Sequence, residues 1–339
     1  MINVGVVGVG GWGKNLARNY YQMPDANLKY VCDLDEKKLQ QMAKLYPGTQ
    51  TTKDFNDLIS DPDLHAIIIS TNAPEHYSLG KSALEAGKDV YIEKPLVLKV
   101  DEAEDLIKIA DRKKQILMVG HLLKYHPVVN KLKEMIDSGE LGTIHYIYAQ
   151  RVNLGTVRYD ENALWNFAPH DISIVLYLLG KEPTDVSARG QAYLQKSIED
   201  VVFFTMNFNG ESMAHVHVSW LDPHKIRKIT VVGSKKMAVF DDLEGNEKLR
   251  VYDKGATHNT DYDTFAEYIN LRFGDITIPH INVGEPLRIA CDHFLESIRN
   301  RTQPLSDGLD GLRVVKVLDA AQSSLEQNGV PVEIKQGLL

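Results

Sequence analysis

Over residues 1–120, short apolar runs alternate with amphipathic stretches. The runs at 2–7, 28–32, 66–70, 89–92 and 116–119 read as strands, and the segments 12–22, 36–45, 75–86 and 102–113 carry apolar residues at helical spacing. Ala66-Ile67-Ile68-Ile69 has no polar alternation, as expected of a strand in a parallel sheet covered by helices on both faces. This rhythm predicts an α/β protein whose first domain, residues 1–120, is a doubly wound Rossmann domain.

After His121 the texture changes. A helix is expected at about 128–138, followed by strands broken by Gly, Asn and Asp. In 201–208, Val202, Phe204, Met206 and Phe208 share one face, and in 213–220 so do Ala214, Val216, Val218 and Trp220. The alternate face is mixed, with Val201 and Phe203 beside Thr205 and Asn207. Such a sheet packs helices on its apolar face and offers the other to a second subunit. Residues 255–282 are polar and irregular, hence an expected loop or arm, and helices at 286–299 and 309–327 close the chain. Residues 121–339 are accordingly expected to form a substrate-binding and oligomerisation domain.

The length of 339 residues also calls for a second core. A net charge of -8 argues against broad binding to nucleic acid or anionic membranes. No apolar run reaches the roughly 18 residues of a membrane span, and the first residues lack the basic start and cleavage site of a signal peptide, so a cytoplasmic protein is expected. Cys32 and Cys291 are too few for a disulfide framework or a Cys-based zinc site and are expected to be unpaired and buried.

Gly8-Val9-Gly10-Gly11-Trp12-Gly13 follows the first strand and opens a helix. Gly8 permits the tight turn, Gly10 and Gly11 let backbone N–H groups approach a pyrophosphate, Trp12 lies within the turn, and Gly13 allows close helix packing. The helix N-terminus adds unsatisfied donors and a positive dipole end. Asp33, at the end of the second strand, is placed to accept hydrogen bonds from a ribose 2′-hydroxyl, which favours NAD over NADP, although Lys37 and Lys38 are near. Further cofactor contacts are expected from Ser70, Thr71 and Asn72 after the fourth strand, and from Glu93 and Lys94 in Tyr91-Ile92-Glu93-Lys94-Pro95, because ligands of these sheets bind beyond the strand carboxyl ends.

The glycine motif, the strand-terminal Glu-Lys-Pro and the later His170-Asp171 pair, in that order, resemble the Gfo/Idh/MocA oxidoreductase family over nearly the whole chain. The resemblance implies a second α/β domain with an open, largely antiparallel sheet, assembly as a homodimer or homotetramer, and catalysis by Lys94 and His170. Imidazole suits the task of taking a hydroxyl proton near neutrality, and the Lys94 ammonium would stabilise charge developing on the same oxygen. Many sugar and polyol dehydrogenases of this family have Asp four residues before the His. Here that residue is Asn166, which can orient a hydroxyl but cannot act as a carboxylate base, so the proton falls to His170. The stretch around Arg151, Asn153 and Arg158 resembles nucleotide-sugar members of the family, and makes both arginines candidates for a substrate pyrophosphate. Solvent-facing salt bridges are the competing reading for both. His121 and Lys124 are further candidates for the substrate cleft. His215 and His217 lack an evident third ligand, so no metal is expected.

The function expected from these features is NAD-dependent oxidation of the 3-hydroxyl of a UDP-N-acetylhexosamine, either UDP-N-acetylglucosamine or its uronate. The alternatives are an NAD-dependent polyol or free-aldose dehydrogenase and, in another class, a catalytically silent NAD or sugar sensor. Retention of Lys94 and His170 argues against the sensor.

Overall fold

The computed structural model describes residues 1–258 and 269–335. In chain order the elements are β1 (Ile2–Val7), α1 (Gly13–Gln22), β2 (Ala26–Cys32), α2 (Glu36–Leu45), β3 (Gln50–Thr52), α3 (Asn56–Ser60), β4 (Ala66–Ile69), α4 (His76–Glu85), β5 (Asp89–Ile92), α5 (Val100–Lys113) and β6 (Leu117–Val119). There follow α6 (Pro127–Asp137), β7 (Ile144–Val152), α7 (Ala163–Leu179), β8 (Asp185–Gln191), β9 (Val201–Phe208), β10 (Ser212–Ser219), β11 (Ile226–Gly233), β12 (Met237–Asp241), β13 (Leu249–His258), β14 (Ile269–Thr277), α8 (Pro286–Asn300), α9 (Gly308–Glu326) and β15 (Val332–Glu333). No helix among the described residues is long and apolar enough to cross a membrane.

Two compact units result. The first contains Met1–Tyr125 together with Gly284–Lys316, and the second contains His126–Val283 and the chain from Val317. A single cut at residue 120 therefore does not describe the units, because a C-terminal segment returns to the first. Long-range bonds fix it there: Val119 N–H donates to Ser306 O (2.7 Å), and Ser306 Oγ donates to Val119 O (2.7 Å). The α8 residues Leu287, Cys291, Phe294 and Ile298 join the core of Leu16, Tyr20 and Tyr91, with Tyr91 and Phe294 meeting edge to face at 5.8 Å. Both cysteines are free and buried.

The sheet of the first unit is parallel, in the order β3-β2-β1-β4-β5-β6. The chain reverses direction of travel between β1 and β4, which opens a crevice beyond their carboxyl ends. Every residue of β4 and β5 is buried, consistent with helices on both faces.

The second unit's sheet has the order β14-β13-β12-β11-β7-β10-β9-β8-β15, and only β7 and β10 run parallel. The predicted inner faces of β9 and β10 are buried, with Val202, Met206, Ala214 and Val216 fully enclosed. Two expectations are corrected. Residues 255–258 and 269–277, read as part of an irregular arm, lie in the paired strands β13 and β14; residues 259–268 fall outside the described residues. The helix α7 is absent from the sequence reading, because its residues from Ile172 to Leu176 are all buried and show no amphipathic period. His170 consequently stands within a helix, just after Pro169.

Candidate active site

In the first unit, backbone hydrogen bonds bring the strand carboxyl ends into one rim. Gly8 N–H donates to Cys32 O (2.8 Å), Ser70 N–H to Val7 O (2.8 Å), Glu93 N–H to Ile69 O (2.9 Å) and Gly120 N–H to Ile92 O (2.7 Å). The glycine turn, Asp33, Ser70 and the Glu93-Lys94 pair, distant in sequence, thus meet at the end of one sheet. Close packing dictates two of the glycines. A Cβ on Gly13 would lie 1.8 Å from Gly8 O, and Gly8 has φ +82° with Ser70 O 2.7 Å from its Cβ position. Gly10 and Gly11 have no atom within 4 Å of their Cβ positions, so the turn is open on that side.

These residues fit a dinucleotide. α1 has no side-chain cap on its N-terminal N–H groups and no acidic residue in its first turn, as an anion-binding helix start requires. Asp33 Oδ2 accepts Val9 N–H at 2.8 Å and Oδ1 accepts Asp35 N–H at 2.9 Å, which aims the carboxylate at the turn. Thr71 Oγ1 is buried without a partner, a polar atom suited to a cofactor contact. Trp12 and Glu93, both expected cofactor contacts, bond to each other: the indole N–H donates to Glu93 Oε1 at 2.8 Å. Glu93 also accepts from Tyr91 OH and Lys94 N–H, and its burial still pushes its pKa upward. Asn72 is exposed beside Thr71.

The Asp33 geometry has a measurable consequence. Its carboxylate opposes a 2′-phosphate, with Lys38 Nζ only 3.4 Å away as a partial offset. The expected kcat/KM is at least about tenfold higher with NAD than with NADP, since about 1.4 kcal/mol is a factor of ten. Asp33→Asn should narrow the ratio in side-by-side steady-state kinetics, and a preference for NADP by the unaltered protein would remove Asp33 from this role.

Two buried histidines support the rim. His76 lies between Pro95 O (Nδ1, 2.8 Å) and Thr71 O (Nε2, 3.2 Å), tying the loop after β4 to the loop that carries Lys94; its burial lowers its pKa. His121 and Lys124, expected at the substrate, share the carboxylate of Asp310. His121 Nδ1 is 2.7 Å from Oδ2, and Lys124 Nζ donates to Oδ1 at 2.7 Å and to Leu305 O at 2.8 Å. His121 and Lys124 hold Asp310 below the usual carboxylate range despite its burial. His121 Nε2 is buried and without a partner. Asp310, a long-range partner, carries no local signal in the sequence.

In the second unit α7 carries His170, Asn166 and Asp171. Asn162 caps the helix start by accepting Trp165 N–H, and Gly180 ends it at φ 63°. Asn166 donates to Glu161 Oε1 (2.6 Å) and accepts Trp220 Nε1–H (3.3 Å). Arg151, expected to meet a pyrophosphate, instead forms a buried two-point pair with Asp171, Nε to Oδ2 at 2.7 Å and Nη2 to Oδ1 at 3.0 Å. Arg158 forms a similar fork with Asp160 and reaches Glu161 at 3.3 Å. Arg158 thus sits in a partly exposed salt bridge, whereas the Arg151 pair is buried and not solvent-facing. Asn153 Oδ1 accepts from Arg227, a residue the sequence reading omits. His215 and His217 lie beside Phe203 on β9, and among the described residues no three His, Cys, Asp or Glu side chains are placed to hold a metal.

Comparisons with known proteins place the chain in a family. Residues 2–121 match the family model described as an oxidoreductase family with an NAD-binding Rossmann fold, and residues 129–239 match the GFO/IDH/MocA C-terminal domain. The chain is 26% identical to UDP-N-acetylglucosamine 3-dehydrogenase of Acidithiobacillus ferrooxidans, over 93% of this chain and 94% of that protein. It is 25% identical to scyllo-inositol 2-dehydrogenase (NAD(+)) of Bacillus subtilis, over 98% of this chain and 96% of that protein. A solved structure of the Acidithiobacillus enzyme has the same fold, with a TM-score of 0.80 at 24% identity, covering 96% of this chain and 98% of that one. With the glycine turn, the Glu93-Lys94 rim and the His170 helix in place, the chain belongs to the Gfo/Idh/MocA family of NAD-dependent oxidoreductases.

Proposed function

We propose that the protein oxidises a secondary hydroxyl on the sugar of a nucleotide-sugar, with the 3-hydroxyl of UDP-N-acetylglucosamine or its uronate as the substrate position. The observation that carries the chemistry is the setting of His170 on α7. The residue four before it is an amide, Asn166, held by Glu161 and Trp220, so the helix presents an imidazole without a companion carboxylate at that position. His170 accepts the hydroxyl proton, and the Lys94 ammonium stabilises negative charge developing on that oxygen. The carbinol C–H leaves as hydride and the C–O bond becomes a carbonyl. NAD, when bound by the Gly8–Gly13 turn, Asp33 and Thr71, supplies the ring that accepts the hydride. The whole-length likeness to the Acidithiobacillus enzyme supports the sugar assignment.

A neutral inositol or other polyol is the second reading. The engagement of Arg151 by Asp171 and of Arg158 by Asp160 favours it, since neither guanidinium is left with its fork open to a pyrophosphate. A panel of UDP-sugars, free aldoses and inositols with NAD, read by NADH formation and product mass, separates the two. The proposal expects turnover with a UDP-N-acetylhexosamine and a product lighter by two hydrogens. Turnover confined to inositols would replace it with the polyol reading, and no turnover with any of them would favour the sensor.

We also propose that two or more copies associate through the outer sheet face of the second unit. Tyr146, Tyr148, Phe203 and Met213 are each more than a third exposed there. Met213 lies beside Tyr146, His215 beside Tyr148, and His217 stacks on Phe203 at 4.1 Å, which makes a continuous aromatic strip. Apolar strips of this size are costly to leave in water. Light scattering at assay concentration should give at least the dimer mass, and Tyr148→Glu with Phe203→Glu should shift it toward the monomer. A monomer at high concentration would remove the proposal.

A further inference from the structure

The second unit holds a guanidinium whose charge its own residues do not balance. Arg151 and Arg227 are register partners on the adjacent strands β7 and β11. Both point to the helix-covered side, since Arg151 reaches Asp171 on α7 and the Arg227 guanidinium lies 5.2 Å from the centre of the Phe167 ring. Phe167 is one helical turn before His170. Two carboxylates are near. Asp171 is bound at two points by Arg151, and Asp242 lies 3.6 Å from His126 Nε2 and 3.9 Å from Lys248 Nζ. Among the described residues no carboxylate is within 4.0 Å of Arg227.

The bonds Arg227 does make fix its plane and are all to neutral oxygens. Nη1 donates to Val152 O (2.9 Å) and Ile226 O (2.8 Å), and Nη2 donates to Asn153 Oδ1. A guanidinium has five N–H donors, so the Nε–H and one Nη2–H remain. Nε and Nη2 share one edge of the guanidinium, the edge that meets a phosphate or carboxylate in fork geometry. Burial, and then the neighbouring Arg151 charge, push the Arg227 pKa down to about 10. A half-buried, like-charged pair of guanidiniums is a cost that an incoming anion relieves.

We propose that Arg227 is the receptor for an anionic group of the substrate, a phosphate or a carboxylate, beside the turn of α7 that runs from Phe167 to His170. This assignment rests on the reading that the second unit binds the substrate, and it moves the anion contact from Arg151 and Arg158 to Arg227. The phosphate source would be the diphosphate of a nucleotide-sugar, and the carboxylate source a uronate.

The test is calorimetric titration of the full-length, NAD-saturated protein with UDP in one arm and glucuronate in the other, for the unaltered chain, Arg227→Met and Arg227→Lys. The proposal expects one probe to bind the unaltered chain and to lose about 10- to 100-fold in affinity in Arg227→Met, the range for one hydrogen bond to a charged group. NAD affinity should not change. Arg227→Lys keeps the charge but not the fork and should fall between the two, which keeps the test decisive if the Met variant does not fold. Loss confined to UDP identifies phosphate, and loss confined to glucuronate identifies carboxylate. Equal affinity for both probes in the unaltered and substituted chains would overturn the assignment. So would failure of both probes to bind a chain that oxidises a neutral inositol with NAD, an outcome that leaves the oxidoreductase chemistry standing.

Discussion

His170→Ala is expected to lower kcat by about a hundredfold to ten-thousandfold, the usual effect of removing a general base, with NAD affinity unchanged. The imidazole stands on α7, which is capped at both ends and buried on nearly every side, so truncating this side chain leaves the helix in place. The residues that fit the dinucleotide belong to the first unit: the Gly8–Gly13 turn, Asp33 and Thr71. Lys94→Ala should also act mainly on kcat, because an ammonium that stabilises a developing oxyanion contributes more in the transition state than in the ground state. Steady-state kinetics beside a direct titration of NAD separates the two effects. Near-normal turnover in His170→Ala would remove the proposed base.

Asp171→Ala is expected to lower the stability of the second unit by about 3–5 kcal/mol, the cost of leaving one partner of a buried ion pair uncompensated. Asp171 is 1% exposed and Arg151 8%, and their two hydrogen bonds are the geometry in which such a pair is strongest. The loss leaves Arg151 and Arg227 side by side, with Asp242 as the remaining carboxylate near Arg227. Replacing both partners, Arg151→Met with Asp171→Leu, should recover most of the stability, because apolar groups of similar volume avoid the desolvation cost. Urea unfolding followed by near-ultraviolet circular dichroism measures both. A change under about 1 kcal/mol in Asp171→Ala would mean that solvent reaches the pair.

Much of the first unit is legible locally. The boundaries of α2 and β5 coincide with the sequence reading because a cap at Asp35 and a fully buried four-residue strand are local signals. The glycine turn and Asp33 are legible for the same reason: their chemistry needs fixed residue types at fixed spacing. What is not legible depends on distant partners. The return of Gly284–Lys316 to the first unit rests on contacts such as Ser306 with Val119, far apart in the chain. The hairpin of β13 and β14 is hidden because Leu271, Phe273 and Ile276 are all exposed and show no half-buried alternation. Arg151 and Arg158 look alike in sequence, and only α7 tells the buried pair from the surface one. Arg227 did have a local signal. It shares a strand face with Ile229 and Val231, which are buried, so a charge falls on the apolar side of β11.

In the proposed reaction, hydride leaves a sugar carbinol carbon for NAD while His170 takes the hydroxyl proton. The most direct measurement uses UDP-N-acetylglucosamine carrying deuterium at C3, incubated with the protein and NAD, with both products analysed by mass spectrometry. The expected result is deuterium in the NADH, a 3-keto sugar without it, and loss of both products in His170→Ala. NADH free of deuterium, or a sugar product that keeps its C3 label, would rule out hydride transfer from C3.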